Sequence, residues 1–203
     1  MTRPIPLPDY AARALAEGRL TQWRVRLRVQ PEGHDICVDL GAGFYAHAAH
    51  DGTHMGGQWR LPFKGGDSPW VQETWHPTLF GDCPVIEYKN DAGGDEYLGN
   101  AKPITVEQFD AVDGPRRGWR FPVTMPKWAS RWTLTVESVR VERCHNATFL
   151  DAKEEGVRQA PGDDSRLETY ARIWNSRHGP GSWERNDWCC VARVSVERRG
   201  VDA

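Results

Sequence analysis

EGRLTQWRVRLRV, residues 17–29, switches periodicity in its middle, and that switch decides how the chain is read. Upstream, PDYAARALAE (8–17) reads as a short helix, with Asp9 as its expected N-cap and Gly18 as its C-terminal stop. From Thr21 the pattern alternates. Thr21, Trp23, Val25, Leu27 and Val29 share one face, while Gln22, Arg24, Arg26 and Arg28 share the other. The expectation is a half-buried strand with an arginine stripe turned outward. Such a stripe either meets phosphate or is a solvated face.

Further strands follow outward from this one. WASRWTLTVESVRVERC (128–144) alternates at Trp132, Leu134 and Val136, then changes phase at Val139 and Val141, which predicts a bulge or bend near Ser138. DWCCVARVSV (187–196) reads as a strand, and DICVDL, QWRL and residues 69–75 as shorter ones. NATFLDAKEEGV (146–157) is a short helix that Thr148 and Asp151 would cap together. SRLETYARIWNSRHG (165–179) is a second helix, with Leu167, Tyr170, Ala171 and Trp174 on one face. Residues 76–118 are rich in Gly, Asp and Pro and read as a long excursion with one hairpin in it. Strands toward both ends, short helices between and no βαβ rhythm predict one α+β domain over 1–203, with a strongly bent sheet or small barrel.

Composition bounds the function. The chain has 203 residues and a net charge of -2, so it is no globally basic nucleic-acid binder. Twenty-one of its cations are arginine and five are lysine, a bias toward planar, bidentate recognition that base composition of the gene explains equally well. Ten tryptophans supply core, and some of them supply stacking surfaces for bases. No apolar run approaches membrane-helix length, and the first ten residues lack the apolar stretch of a secretory signal. Five scattered cysteines without a CxxC pair predict neither a disulfide framework nor a zinc knuckle. These features together read as a cytoplasmic protein.

Few constellations carry chemistry. His47, His50 and His54 with Asp51 invite a metal reading, but the glycines of the segment argue against alignment of the imidazoles, and neither metal nor cofactor is expected. No nucleophile elbow, Walker loop or dinucleotide fingerprint occurs. Glu73, between aromatics in WVQETW, is either a desolvated acid or base or the partner of an arginine in the wall of the sheet. Glu155, at the end of DAKEEG, would alone pass as a solvated helix residue.

Several motifs nevertheless line up in order: RALAEGRLTQWR, GGDSPWVQETW, MPKWASRWTLTVESVRVER, DAKEEGV and YARIWNSRHGPGSWERNDW. Together they resemble the ASCH-domain proteins of the PUA-like superfamily, in the branch carried by phages and prophages. The resemblance covers most of the chain outside 30–60 and 76–118. It implies a small, strongly curved β-barrel with short helices at its mouth, and a cleft for RNA or a nucleotide. It also implies a phage- or prophage-encoded protein acting in the host cytoplasm. One branch of the family hydrolyses the acetyl amide of 4-acetylcytidine with a lysine and a threonine from a GRKTxT turn and a later glutamate.

Carried onto this chain, the lysine falls on Leu20 and the second threonine on Trp23, whereas Thr21, Arg24 and the glutamate, Glu155, are kept. Leucine offers no charge, donor or acceptor, so the amidohydrolase mechanism is not inherited unchanged. The expected function is a binding module for RNA or a modified nucleoside, with DNA left open. Trp23 would stack on the base, Arg24 and Arg26 would hold phosphate, and Glu155 would accept from a base edge, with Leu20, Thr21 and Glu73 lining the site. The competing class is a hydrolase of acylated nucleosides or RNA, using Glu155 as acid or base and Lys64 in place of the missing lysine. A third is a scaffold in which Leu20 and Trp23 fill the cleft.

Overall fold

The computed structural model describes residues 3–30, 36–49, 51, 54–89, 101–112 and 118–199. Their contacts divide the chain into two compact units, one of Met1–Gly18, Ser68–Leu134 and Val196–Ala203, the other of Arg19–Asp67 and Thr135–Ser195. Two long strands, β10 (Trp132–Arg143) and β11 (Trp188–Arg198), contribute residues to each unit.

In the first unit, β1 (Pro4–Pro6) runs parallel to β6 (Trp70–Gln72), and Trp70 pairs with Thr133 of β10. The prolines of β1 lack N–H donors, which suits an edge strand. Helix α1 (Asp9–Ala16) buries Ala11, Ala12, Ala14 and Leu15. Asp9 is its first helical residue rather than its cap, and its carboxylate accepts from Thr74 Oγ1 at 2.6 Å and pairs with Lys89 at 2.8 Å. Gly18 ends the helix as expected, at φ +69, a conformation that costs glycine nothing.

The stretch 76–118 holds more regular structure than its composition predicted. β7 (Trp75–Phe80), β8 (Cys83–Tyr88) and β9 (Lys102–Pro103) form an antiparallel meander, and α2 (Val106–Ala111) starts with a capping box between Thr105 and Gln108. Residues 90–100 and 113–117 of that stretch lie outside the described residues. Gly81, at φ +58, supplies the positive φ that the two-residue turn between β7 and β8 requires. Pro77 is accommodated because β7 is an edge strand. Trp70, Trp75, Ile86, Tyr88, Met125 and Ala129 make one core cluster.

In the second unit, β2 (Gln22–Arg26) pairs antiparallel with β11, from Gln22 opposite Arg193 to Arg26 opposite Cys189. β3 (Ile36–Gly41), β4 (Phe44–Ala48) and β5 (His54–Arg60) form a second antiparallel meander. Glu137 and Ser138 of β10 are both exposed, so the phase change expected near Ser138 is real. Helix α3 (Phe149–Glu154) carries the expected capping box. Thr148 Oγ1 accepts from Asp151 N–H, and Asp151 accepts from Thr148 N–H. Helix α4 (Arg166–His178) starts at Ser165, ends at Gly179, and buries Thr169, Tyr170 and Trp174.

The class is therefore mixed α+β, rich in sheet with few, short helices. No sheet among the described residues closes on itself, so the small barrel expected above is replaced by open sheets with edge strands. No described helix is long and apolar enough to cross a membrane. All five cysteines are free thiols, and only Cys83 is exposed.

Candidate functional site

A strand forms where the sequence predicts one, over the shorter range Gln22–Arg26, but its burial does not alternate: Gln22, Trp23 and Arg24 are all buried. Residues directly opposite in an antiparallel pair share a face, so Gln22, Arg24 and Arg26 stand with Arg193, Val191 and Cys189. At Arg24 that face is covered. Arg24 is 0% exposed, which corrects the outward stripe. Arg28 alone of the three arginines is exposed, and Arg26 is partly exposed, with its Nε donating to Asp187 Oδ2 at 2.5 Å.

The cover is the end of α3. The capping box winds the chain into a single short helix, and Glu155 follows its last residue, with its N–H donating to Asp151 O at 2.8 Å. The Glu155 carboxylate is fully enclosed and accepts from three donors. These are Arg24 Nε and Gln22 Nε2, both at 3.1 Å on Oε1, and Tyr170 Oη at 2.6 Å on Oε2. Arg24 Nη1 lies 2.8 Å from Glu142, and Arg140 donates to Gln22 Oε1 at 3.0 Å and to Asp151 Oδ1 at 2.8 Å. Gln22 Nε2 also donates to Asp151 Oδ1 at 3.0 Å, so one amide joins both carboxylates.

Electrostatics separates the members. Burial pushes the Glu155 carboxyl above the usual range, against the pull of Arg24, Tyr170 and Gln22. Burial works to lower the Arg24 pKa, but Glu155, Tyr170 and Glu142 outweigh it, so Arg24 is held charged. Asp151 is less buried. Desolvation opposes its ionisation, yet the hydrogen bonds from Thr148 and Gln22 and the charge of Arg24 bring it down to about 2. Two guanidinium groups thus face three carboxylates, Glu142, Asp151 and Glu155. An excess of negative charge around Arg24 disfavours a phosphate there.

The remaining expected residues are dispersed. Leu20 is 1% exposed and belongs to the core. Thr21 is exposed, its N–H donating to Glu154 O and its carbonyl accepting from Val194 N–H, so the turn is pinned to both α3 and β11. Trp23 is 2% exposed, and the Arg177 guanidinium sits 4.6 Å from its ring centre, so the stacking face expected there is already covered. Lys64 is exposed in a turn that its N–H closes onto Asp67 Oδ2, and no contact joins it to Glu155. Glu73 belongs to the first unit. It is fully buried in a bidentate pair with Arg131, both bonds at 3.0 Å, and Arg131 lies 4.0 Å from the Tyr88 ring centre. The arginine-partner reading of Glu73 is the one that this geometry matches. His47 packs 4.3 Å from the Trp59 ring, while His50 and the side chain of His54 lie outside the described residues.

Sequence reasoning missed Gln22, Tyr170, Arg140 and Glu142 as members of the cluster. Tyr170 was legible only as an apolar helix position, and its hydroxyl acquires a role only when α4 is set beside Glu155. No protein family, characterised protein or solved structure matches this chain.

Proposed function

We propose that the chain is a binding module of the ASCH type, and that the second unit recognises RNA or a modified nucleoside through a base edge at the rim of the Glu155 cluster. The observation that carries this is the division of labour in the cluster. Glu155 is closed off by three donors, whereas Arg140 keeps 44% of its side chain exposed and Glu142 and Asp151 keep 17% and 14%. A carboxylate acceptor beside a guanidinium donor can pair with an edge that sets an amino donor next to a ring acceptor, as N4–H and N3 of cytosine do. Arg193, opposite Gln22 on β11, is 56% exposed and 3.8 Å from Glu154, and would meet the backbone of such a ligand.

The hydrolase reading has less support. Proton transfer needs a carboxyl that reaches substrate and, in the family pattern, an amine beside it. Here the carboxyl is enclosed, and the amine position is a buried leucine.

The test is fluorescence anisotropy with a labelled single-stranded RNA, together with equilibrium dialysis of cytidine and 4-acetylcytidine. Binding that weakens with salt and weakens further in Asp151→Asn is expected, because phosphate contacts release counterions and the rim loses an acceptor. Turnover of 4-acetylcytidine that disappears in Glu155→Gln would overturn this reading in favour of the enzyme.

A further inference from the structure

The rim described above offers hydrogen bonds but no ring to hold a base, and Trp23 is covered. Another aromatic pair lies within the same unit. His145 is exposed and Trp183 is half-buried, with their ring centres 4.9 Å apart.

Polar contacts from three segments fix this pair. Trp183 N–H donates to Asn175 Oδ1 on α4 at 2.8 Å. Its carbonyl accepts from His145 Nε2 at 2.7 Å and from Asn186 N–H at 2.8 Å. The carbonyl can only accept, so Nε2 carries the proton. Asn186 sits in the left-handed region at φ +53, and its Oδ1 accepts from His145 N–H at 2.9 Å. Much of this scaffolding therefore immobilises rings that are only partly removed from water. Immobilising a ring gives little packing energy when one side stays wet, but it lowers the entropy lost when a flat ligand lands on it.

The pair is tied to the Glu155 cluster twice. Tyr170 donates its hydroxyl to Glu155, and its ring stands at 83° to Trp183 with centres 5.7 Å apart. Glu142 of the rim precedes His145 by three residues, across the turn that ends β10.

We propose that Trp183 and His145 form a stacking ledge for a nucleobase whose edge is read at the Arg140–Glu142–Asp151 rim; this rests on the nucleoside-binding reading above. The ledge accepts any base face, and the rim chooses among edges.

The experiment compares wild-type protein, His145→Ala, Trp183→Leu, Trp183→Phe and Asp151→Asn, using the labelled single-stranded RNA, with circular dichroism melts as a folding control. A stacked base is expected to lose about 5- to 100-fold in affinity in His145→Ala and Trp183→Leu, and Trp183→Phe should recover most of it. Ultraviolet photo-crosslinking of the wild-type complex should map to Trp183 or His145, which decides the matter even if Trp183→Leu fails to fold. Wild-type affinity in both ledge variants, with Asp151→Asn still weakened, would overturn the ledge and leave the rim reading standing. Crosslinks confined to other residues would likewise overturn the ledge. Absence of RNA binding by the wild type, with no retention of cytidine or 4-acetylcytidine, would overturn both.

Discussion

Replacing Arg24 with methionine removes a guanidinium but keeps an unbranched chain in the same space. Glu155 then retains two donors, Gln22 at 3.1 Å and Tyr170 at 2.6 Å, and loses its buried counter-charge. Among the described residues Glu142 keeps the cation Arg140. Removing one member of an enclosed pair costs about 3–5 kcal/mol, because an uncompensated charge stays inside. The opposite change, Glu155→Gln, is milder. Its carbonyl oxygen can take Gln22 and Arg24, and its amide can donate to the Tyr170 oxygen, which accepts as readily as it donates. Arg24 still faces Glu142. The loss there is about 1.5–3 kcal/mol, the worth of a charge-assisted hydrogen bond. Urea unfolding followed by tryptophan fluorescence gives both numbers by linear extrapolation, and the double variant closes the cycle. The double variant should cost less than the sum of the singles by more than about 0.5 kcal/mol, the size expected of residues in contact. An Arg24→Met cost below about 1 kcal/mol, as for a solvent-exposed pair, would refute the enclosed cluster. So would strict additivity.

Thr148→Ala removes the hydroxyl of the capping box and should destabilise the protein by about 1 kcal/mol, read by the same urea titration. Acid should destabilise the fold in two steps. Burial, then the charges of Arg177 and Arg26, hold His178 at about 4 against an ordinary 6.5, so its contribution is complete above pH 6.5 and is lost as pH falls toward 4; the first step should vanish in His178→Phe. Asp151, held at about 2 against 3.8, contributes above pH 3.8 and stops contributing as pH falls toward 2, so the second step should vanish in Asp151→Asn. Thiol titration of native protein at neutral pH should count one fast-reacting group, Cys83. Burial raises the Cys37 thiol to about 12 and that of Cys144 to about 11, and shields Cys189 and Cys190 as well. Fast reaction of all five without denaturant would contradict the burial described for the other four.

Periodic segments were legible in the sequence because their signals are local. Helix α1, strand β2, the Thr148–Asp151 box and the phase change at Ser138 each follow from spacing within a dozen residues. Of the meander β7–β9, one hairpin was legible in outline, but its strands were not, since Pro77, Gly81 and Asp82 mimic loop composition and the edge position of β7 accommodates the proline. The small barrel was expected both from the strand pattern, as one of two options, and from the resemblance, but closure depends on pairing between distant strands, and the described sheets stay open. For the site, Arg24 and Glu155 were both singled out, but alternation assigns a face without saying what covers it. Their pairing joins positions 131 apart in the chain, and no local pattern reports it. Glu73 was the reverse case. Its aromatic neighbours announced burial, and a buried carboxylate needs a cation, here Arg131.

That separation of 131 residues also sets the order in which the second unit can be built. When β2 leaves the ribosome, its arginine has no carboxylate and its edge has no strand to pair with. Glu155 comes much later, and the pairing register with β11 extends to Arg193. Strand formation that waits for distant partners is slow and leaves an unpaired edge and apolar side chains such as Trp23 and Leu27 open to other chains in the interval. Arg24, Arg26 and Arg28 interrupt the apolar positions of that segment with charge, and charge placed so opposes association of an exposed strand.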